Sequence, residues 1–150
     1  VLGGRGFTLI EILIAIGILA ALAAVAIVAI NPARQFAQAR NSQRQSNITT
    51  LLNAIGQNIA DNKGVFTCGS VTLEANSAST SIDNGSGGSG KNLSCLSPTY
   101  IPVFPIDPNN PNAPASGYTV SVDSVGRVMV CAPNANEAAL GSPGGLCVMR

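Results

Sequence analysis

From Phe7 to Ile30 the chain reads F-T-L-I-E-I-L-I-A-I-G-I-L-A-A-L-A-A-V-A-I-V-A-I, 24 residues with one charge. Coiled as a helix, such a run is roughly 36 Å long, against about 30 Å for the hydrocarbon core of a bilayer. It is apolar on every face, so it must be covered by lipid or by other helices. A cleaved secretory signal is the competing reading, and an A-x-A match exists at Ala24–Ala26. That match lies inside the apolar stretch, and the run is longer than a usual signal core, which favours retention. The misfit is Glu11. A lone carboxylate costs roughly 2.5–3.5 kcal/mol near a bilayer centre, so it requires a partner, a place near the interface, or both.

The remainder is different in kind. The whole chain has 150 residues, 10% of them charged, with a net charge of +1. That balance gives no electrostatic case for a nucleic-acid site. Beyond the apolar run the sequence is rich in Ser, Asn, Gly and Pro, and there is no Trp. A core built from so little apolar material usually needs covalent staples. Cysteines stand at 68, 95, 131 and 147, with no C-x-x-C pair and no His in the chain. Zinc is therefore disfavoured, and two disulfides in an exported domain are expected, with buried free thiols as the alternative. Three connectivities are open. Cys68–Cys95 with Cys131–Cys147 is preferred, because each pair is adjacent in sequence and closes a weakly packed segment.

Asn31-Pro32 interrupts the first helical stretch without having to end it, since proline is tolerated as a kink in membrane helices. A-R-Q-F-A-Q-A-R-N-S-Q-R-Q-S-N follows, rich in helix formers and polar all round, expected to form a stalk covered only by neighbouring chains. Ile48, Leu51, Leu52, Ile55 and Ile59 then mark one apolar stripe, suited to docking on a sheet. Asn62, Lys63 and Gly64 read as a stop. The expectation is one helix from Phe7 to Lys63, kinked near Pro32. Past Gly64, V-F-T-C-G-S-V-T-L reads as a strand or extended loop, and Asn76–Gly90 as a flexible, solvated loop. Gly117–Asp123 and Gly126–Cys131 form the clearest hairpin, and Leu146–Met149 adds a last strand. Prolines at 102, 105, 108, 111 and 114 keep a period of three, matching one face of a polyproline II brace. The resulting fold class is α+β.

No catalytic constellation emerges. Without His, chemistry would need a carboxylate pair or a Ser–Lys dyad. Asp61, Glu74, Asp83, Asp107, Asp123 and Glu137 share no motif, and Lys63 and Lys91 lie at a helix end and by a loop. There is no P-loop and no dinucleotide fingerprint. The reading is a non-enzyme without a cofactor.

R-G-F-T-L-I-E, a Gly6-Phe7 junction followed by an apolar helix with Glu at its fifth position, resembles the prepilin signature of type IV pilins and type II secretion pseudopilins. The resemblance is specific over residues 3–30, weaker over 31–63, and architectural beyond. It implies a pilin-like fold: a long N-terminal helix whose C-terminal half packs on a small antiparallel sheet. It divides the chain into a leader (1–6), a membrane and filament-core helix (7–30), an amphipathic continuation (31–63) and an exported head (64–150). It also implies cleavage after Gly6 by a prepilin peptidase, methylation of the new Phe7 amine, and a precursor held in the cytoplasmic membrane. A pilus assembly machinery would then build a helical homopolymer at the cell surface. In that setting Glu11 neutralises the Phe7 amine of a neighbouring subunit, two paired charges costing far less than either alone.

Three details depart from the pattern or add to it. Arg34, Arg40 and Arg44 follow the apolar run while only Arg5 precedes it, so the positive-inside count does not itself support an N-in topology. The chain starts at Val1, where an alternative start codon or a trimmed record is the expected reason. Some relatives bind calcium near a proline-rich stretch; Asp107, Asn109 and Asn110 could supply oxygens, but a D-P-N-N turn explains them equally well, and no metal is expected. The leading expectation is a major-pilin-like subunit of a cell-surface filament, with adhesion, twitching, DNA uptake and secretion all left open as its task. A secretion pseudopilin and a membrane-tethered exported binding domain are the alternatives.

Overall fold

The computed structural model describes residues 6–110 and 115–150. The expected leader, apart from Gly6, lies outside the described residues, as do Pro111 and Pro114 of the proline series. The chain divides into two compact units, one ending at Phe36 and the other beginning at Ala37.

In the first unit, helix α1 spans Leu9–Ile30. Thr8 caps it in extended conformation, its hydroxyl oxygen accepting the Glu11 N–H at 3.3 Å. Not one α1 residue is buried, and the helix is long and apolar enough to cross a membrane. Asn31 closes it with a left-handed φ of 48°, a conformation that asparagine tolerates better than most residues. The same residue opens helix α2, Pro32–Asp61: its carbonyl accepts from Arg34 and Gln35 N–H, and its side-chain oxygen also faces Arg34 N–H at 3.4 Å. Proline at a first helical position loses no hydrogen bond. The expected single kinked helix is thus two helices parted by one residue, because Asn31 leaves helical geometry where Pro32 cannot donate to the preceding turn.

In the second unit α2 lies against a five-stranded sheet of order β2-β1-β3-β4-β5. The strands are β1 Ser77–Asp83, β2 Lys91–Asn92, β3 Ala115–Val122, β4 Val128–Ala132 and β5 Leu146–Met149. Only the two-residue β2 is parallel to its neighbour; the other pairings are antiparallel. Ile48, Leu51 and Ile55 from α2 meet Tyr118, Val120 and Val130 from the sheet in one buried cluster, with Ile59 partly covered at its edge. The stripe read from sequence therefore faces the core. The expected hairpin is β3–β4, in register through Val120 opposite Val130. Its turn is held by Asp123, whose carboxylate accepts from the backbone N–H groups of Val125 and Arg127.

Two sequence expectations are corrected here. Asn76–Gly90 is not a loop throughout: Ser77–Asp83 forms β1, an inner strand paired with β3. Its Ser/Thr-rich sequence carries one large apolar residue, Ile82, which is fully buried, so the alternation that marks a strand is almost absent. Tertiary pairing overrides weak local preference here. The glycine-rich residues 84–90 are the actual loop. The stalk expectation for Arg34–Asn47 is also overturned, since Ala37 and Arg44 are fully buried by the chain's own head. Val65–Leu73 takes the loop alternative, with a single bridge between Cys68 and Val71.

Cys68 is bonded to Cys95 and Cys131 to Cys147, with Cα atoms 5.6 Å and 4.1 Å apart. The second bond joins directly facing residues of β4 and β5. By restricting the unfolded chain, loops of these lengths each contribute about 3 kcal/mol.

Candidate functional site: the N-terminal segment and a buried arginine cluster

At the N-terminal segment, Gly6, Phe7 and Glu11 are all exposed. A Cβ on Gly6 would meet nothing within 4 Å, so the space around this position is open in the single chain. Phe7 is 78% exposed and lies one residue before the cap. Glu11 occupies the third position of α1, so Thr8 and Glu11 form a T-x-x-E capping arrangement. A carboxylate in the first helical turn also suits the positive end of the helix dipole. Among the described residues Glu11 has no ion-pair partner. The segment is thus a helix with a carboxylate near its start and twenty apolar side chains, none of them buried among the described residues.

The head holds a second feature that the sequence reading missed. Arg44 is wholly buried, its Nε 2.7 Å from Asp107 Oδ2 and its Nη2 3.2 Å from Asp107 Oδ1. Its Nη1 donates to Asn41 Oδ1 at 2.7 Å and to Glu137 Oε1 at 2.5 Å. Arg40 grips the same Glu137 through two hydrogen bonds, one of 2.9 Å to Oε1 and one to Oε2. Asn41 donates to Ala135 O, and Asn47 to Ile106 O and the Tyr118 hydroxyl. One face of α2 therefore ties down both the proline-rich segment and the residues around Glu137.

Local chain geometry makes this possible. Asp107 begins a turn in which its carboxylate accepts Asn109 N–H at 2.9 Å and its carbonyl accepts Asn110 N–H. Its own N–H donates to Ser116 O. Gly117 (φ 84°) lies directly against it, since a Cβ there would stand 2.5 Å from Asp107 Cβ. Asp107 thus serves both an arginine and a turn. Among the described residues no group of three or more His, Cys, Asp or Glu could hold a metal.

A signal for the cluster did exist. Ala37, Asn41, Arg44, Ile48, Leu51, Ile55 and Asn58 alternate four and three residues apart, so the core stripe continues backwards through polar residues. Reading only the apolar members cut it short at Ile48.

Arg40 donation holds the Glu137 carboxyl down to about 2, against the opposing pull of burial and with help from Arg44. Hydrogen bonds from Arg44 to Asp107 and Glu137 outweigh the burial that disfavours its charge, and its pKa is raised. Because the folded pKa of Glu137 lies below its ordinary 4.5, the unfolded chain takes up the proton first. Its stabilisation is complete above about pH 4.5 and is lost as pH falls towards about 2. Urea melts between pH 7 and 2 are expected to show this loss, and Glu137→Gln to flatten it while lowering stability at pH 7.

These features define a class: an α+β protein with an apolar, fully exposed N-terminal helix, a second helix and a five-stranded, mostly antiparallel sheet, consistent with a pilin-like fold. Residues 4–27 match the family model of the prokaryotic N-terminal methylation motif. The chain thus carries the prepilin-type signature of type IV pilins and pseudopilins. No curated protein and no solved structure matches it.

Proposed function

We propose that this chain is a structural subunit, of major-pilin type, that polymerises into a cell-surface filament through α1. The observation that carries the reading is the conjunction of the methylation motif at residues 4–27 with a 22-residue apolar helix of which no residue is buried among the described residues. A membrane covers that surface in the precursor, and copies of the same helix cover it in a filament.

On this reading residues 1–6 are a leader removed after Gly6 by a prepilin peptidase, and Phe7 becomes a methylated N-terminus. Residues 7–30 serve first as membrane anchor and then as filament core, 31–63 carry the second helix, and 64–150 form the exported domain closed by its two disulfides. Glu11 pairs with the Phe7 amine of a neighbouring copy, which removes the cost of two separate charges in an apolar layer and sets the axial stagger. The role is structural, without catalysis or cofactor, and the assembly machinery is that of a pilus.

Intact-mass analysis of filaments sheared from producing cells tests the proposal. The expected subunit starts at Phe7 and carries one added methyl group. Filaments of another protein, or subunits retaining Val1–Gly6, refute it. Subunits found only in short periplasm-spanning assemblies of a secretion system would place the chain among the pseudopilins.

A further inference from the structure

The two disulfides are placed very differently. Cys68 is 6% exposed and packs in the core cluster, while Cys95 is partly exposed and lines, with Cys68, Ser70, Val71 and Asn92, an open recess of about 370 Å³. Cys147 is exposed and sits in β5, the outermost strand of the sheet. The outer edge of β5 offers backbone N–H and C=O groups to which an extended segment of another protein can pair. The bond from Cys147 to Cys131 also closes the segment that contains Ala135 and Glu137, the residues held by Asn41, Arg40 and Arg44 of α2.

We propose that Cys131–Cys147 is a reversible thiol–disulfide exchange site for a protein dithiol reductant, and that opening it releases the Glu137 segment from α2. The reductant's thiolate attacks Sγ of Cys147, the S–S bond breaks, and Cys131 leaves as a thiolate that takes up a proton. The reductant's second thiol then attacks the mixed disulfide and releases Cys147. Two electrons and two protons pass to the chain, and the reductant ends as a disulfide. Selectivity follows from access: Cys147 is exposed on an edge strand, whereas Cys68 is buried and Cys95 only partly exposed. Without the crosslink, β5 is a four-residue edge strand held by backbone pairing and by the partly buried Leu146 and Val148, and the Glu137 segment keeps only its hydrogen bonds to Arg40, Asn41 and Arg44.

The experiment uses the full chain in detergent micelles, with reduced thioredoxin as the probe. Timed alkylation and peptide mass spectrometry follow each cysteine, and hydrogen–deuterium exchange follows the backbone. The expected result is alkylation of Cys131 and Cys147 at least about tenfold faster than of Cys68 and Cys95. Exchange should then rise in residues 133–149 and in α2 around Arg40–Arg44, while β1 and β3 stay protected. A Cys131→Ser/Cys147→Ser variant is expected to show the same exchange pattern without reductant; if it does not fold, the time course of the natural chain still decides. Reduction of Cys68–Cys95 first or at an equal rate overturns the proposal, as does selective reduction that leaves exchange around Glu137 unchanged.

Discussion

Glu11→Val is expected to leave membrane insertion intact or improved and to reduce filament yield at least about tenfold. The two effects have opposite signs for one reason. Removing a carboxylate from an apolar run lowers the cost of insertion by up to roughly 3 kcal/mol. In the proposed filament, however, the cationic Phe7 amine would then lie in an apolar layer without its counter-charge, and an uncompensated charge there costs several kcal/mol, of which each 1.4 kcal/mol is about tenfold in an equilibrium. The T-x-x-E pattern gives the same side chain a competing role, as capping-box partner of Thr8. Glu11→Gln separates the two. It keeps a capping side chain but removes the charge, so it should fail in assembly nearly as badly as valine. Thr8→Ala, which removes the cap and keeps the charge, should cost the helix only about 1 kcal/mol and still assemble. Electron microscopy and immunoblotting of sheared and membrane fractions measure both quantities. Normal filaments from the glutamine variant would show that Glu11 serves the helix end and not the assembly.

The largest effect on stability is expected at Arg44. Arg44→Leu strands Asp107, fully buried, and takes one of two arginines from Glu137, a change of the kind that costs about 3–5 kcal/mol. Lysine will not rescue it. One ammonium cannot reproduce the fork that reaches Asp107 through two nitrogens and Asn41 and Glu137 through a third. Replacing Arg44, Asp107 and Glu137 together by apolar residues is expected to recover much of the loss, since it is an unpaired buried charge that is costly and not the absence of the pair. Urea unfolding at pH 7, followed by circular dichroism, measures all three. An Arg44→Leu protein as stable as the natural chain would mean that water reaches the cluster.

The two outcomes differ in how far the sequence alone could foresee them. Residues Leu9–Ile30 announce a helix by themselves, since nothing else satisfies the backbone of so long an apolar run in lipid, and the chain around Glu11 carries its signature in consecutive residues. The Ile48–Ile59 stripe and the β3–β4 hairpin were legible for the same reason: each expresses a period within one segment. Where the first helix ends was only half legible. Asn31-Pro32 announced an interruption, but whether it bends or breaks the helix depends on the φ that Asn31 adopts.

What tertiary structure decided is everything that depends on residues far apart in the chain. Ser77–Asp83 became an inner strand because β3 offered it partners, although its own composition reads as loop. Arg44 continues the core stripe in phase, but so does Arg34, three residues before Ala37, and nothing local distinguishes the two. The burial of Arg44 depends on Asp107, 63 residues away, and on Glu137, 93 residues away. A buried charge is tolerable only where such partners converge, and convergence belongs to the fold rather than to any one segment. The sequence by itself thus determined which helix must be covered by lipid or by other chains. Only the folded head decided which of the chain's cations would be buried.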